Sequence, residues 1–255
     1  MKKLTIAILI GLMSASGWGA CTYDLDATQA QISTFPSFPT STKFPNITSQ
    51  EVSHLIRNND NDPFNISAFA ATSATFTQTK PLGDKIIGTN GIYATEYKID
   101  NFYTPLINND NYIYHGLAIN LSNASSAVKI GQVMLVNDNS GLNLVFFMQN
   151  PDGSNSVDLK YPISNSVSMP FRFGIYVNQD SKKIGLNVNG VDKGYLVSFT
   201  GNINKIGFVP SSAQARIGTG SNIVGSLIKG ELIIDKAKYG LTYALGTKDI
   251  CGNTI

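Results

Sequence analysis

Phe171-Arg172-Phe173-Gly174-Ile175-Tyr176-Val177-Asn178, a turn at Asn178-Gln179-Asp180-Ser181, and Lys183-Ile184-Gly185-Leu186-Asn187-Val188 running into Asn189-Gly190 form the stretch that decides the fold. Apolar side chains fall on every second position, with Phe171, Phe173, Ile175 and Val177 on one face of the first run and Ile184, Leu186 and Val188 on one face of the second. A period of two belongs to a strand, whose successive side chains point to opposite sides, so each run has one core face and one half-polar face. Asn189-Gly190 predicts a two-residue hairpin, because a type I′ turn needs positive φ at both central residues and Asn and Gly tolerate it.

The same alternation recurs upstream. Residues 112–121 place Ile113, His115, Leu117, Ile119 and Leu121 on one face, and residues 142–149 place Leu142, Leu144, Phe146 and Met148 on one face. Asn137-Asp138-Asn139-Ser140-Gly141 and Asn150-Pro151-Asp152-Gly153 supply turn chemistry between runs. From Ile66 onward such strands follow one another without a convincing helix, which predicts an all-β domain over 66–255, built as two packed antiparallel sheets in a β-sandwich or jelly roll. Residues 21–65 read differently. Phe35-Pro36, Phe38-Pro39, Phe44-Pro45 and Asp62-Pro63 punctuate a Ser/Thr/Asn-rich stretch and predict an extended segment held down by its phenylalanines. Inside it Thr48 and Glu51 have capping-box spacing, while Val52, Leu55 and Ile56 form one apolar stripe. That pattern predicts a short N-terminal helix over 49–58 with His54 solvated off the stripe.

Of the 255 residues, 14% are charged, against roughly 25% in an average soluble protein, and Asn, Ser, Thr and Gly together exceed a third. This is the composition of strands and turns with an uncharged polar surface. Lys2 and Lys3, the apolar run Leu4–Met13 and the small residues through Ala20 have the order of a secretory signal peptide over 1–20, too short in its apolar part to span a bilayer. Its removal takes two of the 19 basic residues and leaves 17 against 17 acidic ones, so no basic nucleic-acid footprint exists. It also removes Trp18, the single tryptophan. No later stretch is long and apolar enough for a transmembrane segment. The expected location is therefore periplasm, cell surface or medium.

Two cysteines bear on that location. Cys21 follows Gly19 and Ala20, where a lipoprotein cysteine would stand, although Trp18 occupies the place usually held by Leu. The competing reading pairs Cys21 with Cys251, the one other cysteine, in an oxidising compartment. Chain entropy gives such a bond an upper bound of about 5 kcal/mol.

The hairpin run from Pro170 to Val177 and Lys183 to Tyr195, with its strand ending in Val188-Asn189-Gly190, resembles the central hairpins of the concanavalin A-like lectin and glucanase superfamily, which includes laminin-G-type and SPRY-type domains. Tyr93–Ile99 and His115–Asn123 look like earlier paired strands of the same sandwich. The likeness spans about residues 66–240 and implies fold more than activity. The chain as a whole also looks like a family of uncharacterised secreted proteins from Gram-negative bacteria.

Members of that superfamily that hydrolyse glucans carry Glu-x-Asp-x-x-Glu on one strand, which sets nucleophile and acid/base at the short separation retaining hydrolysis needs. The glutamates here are Glu51, Glu96 and Glu231, and none lies in that pattern. There is no Gly-x-Ser-x-Gly elbow, and His115, on an apolar strand face, reads as a hydrogen-bonded core histidine. Zinc spacing is absent. No motif implies a cofactor; calcium is the open case, with Asp60, Asp62 or Asp138 with Asn139 as loop oxygen donors, against ordinary Asx-turn chemistry. The expected function is noncatalytic binding of a glycan or an extracellular protein, as a lectin-like or adhesin-like protein. A glycan hydrolase or lyase on the same fold and a structural subunit at the cell surface are the alternatives. Tyr112, Tyr114, Asn143, Gln149, Arg172, Tyr176 and Asn178 fall on the noncore sides of their strands and are the expected ligand-binding residues, since tyrosine faces and amides can stack on and hydrogen-bond a sugar.

Overall fold

Alternation becomes strands wherever the sequence shows it. The structure, a computed structural model, describes residues 21–34, 40–59, 63–71, 84–102, 112–124, 126–138, 140–164 and 169–255. The expected signal peptide lies outside these residues, as do Phe35, Phe38, Asp60, Asp62 and Asn139. In chain order the elements are α1 (Gln29–Ser33), β1 (Thr42–Lys43), β2 (Asn46–Thr48), β3 (Glu51–Leu55), β4 (Phe64–Ser67), β5 (Lys85–Ile86), β6 (Ile92–Asn101), β7 (Tyr112–Ser122) and β8 (Ala127–Asp138). They continue with β9 (Gly141–Gln149), β10 (Val157–Pro162), β11 (Phe171–Asn178), β12 (Lys183–Val188), β13 (Val191–Ser198), β14 (Lys205–Ala215) and β15 (Leu227–Ile233), followed by a 3-10 turn at Lys236–Lys238.

An eight-stranded sheet has the order β1-β4-β14-β7-β8-β9-β10, with β5 also on β14, and a seven-stranded sheet has the order β13-β12-β11-β6-β15-β3-β2. All named pairs are antiparallel except β1 with β4. The inward faces are those given by the period of two: Ile113, Leu117, Ile119, Leu121, Leu144, Phe146 and Met148 from one sheet meet Phe171, Phe173, Ile175, Val177, Ile184 and Leu186 from the other in one continuous core. This is the two-sheet sandwich that the concanavalin A-like resemblance implies. Pro210, a residue that cannot donate to a ladder, sits in β14 just past the end of β4, where no strand needs its missing N–H.

The helix expected over 49–58 is a β-hairpin instead. β2 and β3 pair through Asn46↔Ser53, Ile47↔Val52 and Thr48↔Glu51, and Ser49 turns the chain with φ 53°. Pairing of β3 with β15, from Leu227↔Leu55 to Glu231↔Glu51, selects alternate residues, so Val52 and His54 point inward while Leu55 is 51% exposed. Tertiary pairing overrides the local helical stripe, and His54, expected in solvent, is buried at 1% exposure. The N-terminal helix that does form, α1, is a single five-residue turn with a capping box between Thr28 and Gln31. Its Ile32 packs with Ala27, Phe69 and Val209 on the outer side of β14. Cys21 and Cys251 form a disulfide, with Cα atoms 5.7 Å apart, so the Cys21 sulfur is committed to Cys251.

Candidate functional site

The outer face of the seven-stranded sheet can be read row by row from its register. One row runs Ile233, Glu96, Gly174, Asn187 and Asp192 across β15, β6, β11, β12 and β13. The next runs Ala94, Tyr176, Gly185 and Tyr195. Glycine inside a strand leaves room for something to lie on the sheet, and both glycines here are covered. A Cβ at Gly185 would come within 2.1 Å of the Tyr176 ring, and one at Gly174 within 1.8 Å of the Tyr243 hydroxyl. The Asn189-Gly190 hairpin that joins β12 to β13 has φ of 47° and 83°, the double positive turn expected from the sequence.

Tyr243 reaches the sheet on a strap formed by residues 235–249. The strap begins with Asp235 capping the 3-10 turn, lays Gly240 and Leu241 over Glu96, and ends with Lys248 beside the part of β6 that β15 does not reach, where Lys248 N donates to Ile92 O and Ala94 N to Lys248 O, each at 2.8 Å. Glu96 is fully buried and accepts from Gly240 N, Leu241 N at 2.9 Å and the Arg172 guanidinium, which also donates to Lys238 O at 3.0 Å. Tyr239 donates to Ala94 O at 2.6 Å. A buried carboxylate thus holds the strap to the sheet through backbone N–H groups and a guanidinium, the pairing a buried charge requires.

Between strap and hairpin lies a pocket of about 540 Å³ lined by Tyr176, Tyr195, Tyr243, Asn187, Asp192 and Thr247 among others. Tyr176 is central: its ring centroid lies 5.4 Å from Tyr195 at 68° and 6.2 Å from Tyr243 at 77°. Its hydroxyl donates to Asp192 Oδ1 at 2.6 Å, and Gly194 N donates to the same oxygen at 2.8 Å. Burial, reinforced by the Asp192 carboxylate, raises the Tyr176 pKa above its ordinary value, and burial raises those of Tyr239 and Tyr243. These hydroxyls therefore remain neutral and able to donate.

The residues singled out from sequence divide between the two sheets. Tyr176 lines the pocket, Asn178 Nδ2 donates to the Tyr195 hydroxyl at 2.6 Å and so steadies that ring, and Arg172 holds the strap. Tyr112, Tyr114, Asn143 and Gln149 lie on the outer side of the eight-stranded sheet, where Tyr112 and Tyr114 present parallel rings 6.4 Å apart. Burial pushes the Tyr114 pKa up to about 12. Asn143 is buried and donates to Gly141 O at 2.9 Å. Asp138, one of the candidate calcium donors, takes Ser140 N at 2.8 Å in an Asx turn and pairs with Lys160 at 3.6 Å. Asp192, Tyr195, Asn187 and Tyr243 were not singled out. Gly174 and Gly185 in strand interiors were the signal that something packs there.

The two histidines meet inside the sandwich. His54 Nε2 is 2.9 Å from Ser212 Oγ, and His115 Nε2 is 2.9 Å from the Tyr97 hydroxyl, with the imidazoles 6.4 Å apart. Ser212 and His54 have the spacing of a nucleophile and its base, but at 0% and 1% exposure no substrate reaches them, and Ser212 Oγ donates to Tyr114 O. His115 is a hydrogen-bonded core residue, as its strand position implied.

Residues 2–253 match the family model described as "Domain of unknown function (DUF4882)", and the chain belongs to that family. No protein of curated function matches it. Solved structures it is similar to include a polysaccharide lyase of family 18 (10% identity, 74% of this chain and 88% of that one, TM-score 0.40). An alginate lyase from Pseudomonas aeruginosa matches at 12% identity, over 70% and 82% of the two chains, with TM-score 0.40. The carbohydrate recognition domain of Emp46p in a potassium-bound form matches at 13%, over 72% and 88%, with TM-score 0.40. Likeness this slight has no bearing on activity, and the two-sheet fold stands on its own strand order.

Proposed function

We propose that this family member is an exported, noncatalytic protein that binds a glycan in the tyrosine-lined pocket of the seven-stranded sheet. The observation that carries the reading is the convergence of Tyr176, Tyr195 and Tyr243 with Asn187 and Asp192 around about 540 Å³, within the volume range of small-molecule sites. Tyrosine rings offer flat apolar faces for the C–H side of a pyranose, and the amide and carboxylate offer acceptors for its hydroxyls. Binding is favoured over hydrolysis because glycosidases work with two carboxyl groups about 5–10 Å apart across the scissile bond. Asp192 is the single carboxylate among the described lining residues, and Glu96, three strands away in the same row, is sealed under Gly240 and Leu241. Export is supported by the Cys21–Cys251 disulfide, a bond that persists in oxidising compartments. No helix among the described residues is long and apolar enough to cross a membrane.

The test is a glycan and bacterial-polysaccharide array probed with the mature protein, once with calcium and once with chelator, alongside an assay for new reducing ends and unsaturated products. Binding without product is expected. Tyr195→Ala, at a position 43% exposed and so tolerant of truncation, should weaken binding about 10-fold, the equivalent of about 1.4 kcal/mol. Silence across the array, or turnover of any glycan, would refute the reading.

A further inference from the structure

The pocket leaves two side-chain acceptors open, beside the unpartnered Tyr243 hydroxyl. Asn187 is 2% exposed; its Nδ2 donates to Thr242 O at 3.1 Å, and its Oδ1 has no partner. Asp192 uses Oδ1 for Tyr176 and Gly194, while Oδ2 makes no hydrogen bond among the described residues and the carboxylate enters no ion pair there. No Lys, Arg or His is among the described residues that line the pocket. The lysines beside it are turned to rings: Lys183 Nζ lies 5.8 Å from the Tyr195 centroid, and Lys248, next to the lining Thr247, lies 5.8 Å from that of Tyr93. Open acceptors, one carboxylate without an ion pair and three tyrosine faces make a surface that attracts cations.

We infer that the pocket selects its saccharide by charge, taking a hexosamine unit with a protonated amino group and rejecting uronate units. The inference rests on the glycan-binding reading above and adds the chemical class to it. The ammonium supplies three donors, which the open Asn187 and Asp192 oxygens can accept, and its charge lies among aromatic faces. A uronate carboxylate brings only acceptors and a second negative charge to the same place, with no guanidinium or ammonium in the lining to receive it.

Calorimetric titration at pH 6 with glucosamine tetramer, N-acetylglucosamine tetramer and oligogalacturonate tests this directly. Glucosamine tetramer should bind at least about 10-fold tighter than its acetylated counterpart, and oligogalacturonate should give no heat. In Asp192→Asn the ratio of the first two affinities should fall towards unity. In the wild type the same ratio should fall as NaCl rises from about 10 mM to about 1 M, as the Debye length shrinks from roughly 30 Å to 3 Å. The salt series answers the question whether or not the variant folds. Uronate binding, or an amine preference insensitive to both salt and Asp192→Asn, overturns the charge selection while leaving glycan binding intact. Failure of every glycan to bind the wild type overturns both.

Discussion

Lowering the pH from 7 to 5 is expected to remove about 2 kcal/mol of folding stability through His54 alone. Its ring is buried between the sheets, hydrogen-bonded to Ser212 and 3.2 Å from Leu55 O. Burial lowers its pKa from 6.5 to about 4; the Leu55 carbonyl opposes this in part and Arg57 adds to it. His115 lies well below 6.5 for the same reason, with the His54 charge as a second cause. In the unfolded chain both rings titrate near 6.5, so between that pH and about 4 the unfolded state holds more protons than the native one. Stability therefore rises with pH in this window and is lost as pH falls through it. Each pH unit below 6.5 is worth about 1.4 kcal/mol per histidine, which gives about 2 kcal/mol for His54 at pH 5, and His115 adds in the same direction.

Glu231 and Asp138, whose pKa values sit below the usual carboxylate range in spite of burial because Lys98 with Lys238 and Ser140 with Lys160 hold their charged forms, remain ionised at pH 5 and do not obscure the effect. Urea unfolding followed by far-ultraviolet circular dichroism, with the disulfide intact, should show the midpoint dropping by about 1 M for His54 alone, taking a slope near 2 kcal/mol per M. His54→Gln should be less stable at pH 7 but fall less steeply with acid. Equal midpoints at pH 7 and 5, or an unchanged pH slope in His54→Gln, would refute the reasoning.

Three further expectations follow from the same structure. Glu96→Gln leaves Arg172 half-partnered under the strap and should cost about 3 kcal/mol, with faster hydrogen exchange at Gly240 and Leu241 than at strand amides. Gly185→Ala places a methyl where the Tyr176 ring lies and should cost about 1–3 kcal/mol as well as displacing that ring. If its stability and its array signal both match wild type, the glycine-floor account is wrong. Cys21→Ala with Cys251→Ala opens a cross-link spanning 230 residues and should lower stability by up to about 5 kcal/mol; quantitative alkylation of the unreduced wild-type protein would show that the bond does not form.

Much of the fold was legible because long strands carry their instruction locally. In β7, β9, β11 and β12 the period of two names the face turned to the core, though the outer face of β11 and β12 is largely buried as well, and Asn189-Gly190 names its turn. Residues 49–58 misled because Val52, Leu55 and Ile56 fit a helix as well as five residues can, and what decides between periods is β15, some 180 residues away, supplying a partner for β3. Of the candidate site, Tyr176 was legible as a tyrosine on an outward face, but its company was not. Tyr243 comes from a strap without alternation, and nothing in its local sequence says that it returns to Gly174. Arg172 and Tyr176 share a face and a strand, yet one is spent on Glu96 and the other lines the pocket. Which neighbour claims a side chain is settled by the register of β6 and by the strap, neither of which a period reveals.

The strap has a consequence for synthesis. The fifteen strands of the described residues precede residue 235, so a copy terminated there keeps every pairing between those strands but loses Lys248 from β6, Cys251 from the disulfide and one wall of the pocket. Such a copy also leaves the Glu96 carboxylate without the Gly240 and Leu241 amides that cover it. If the pocket binds a glycan as proposed, retention on a glycan column doubles as an audit of translation, because molecules that stop short of the strap lack that wall and betray themselves by an uncovered charge.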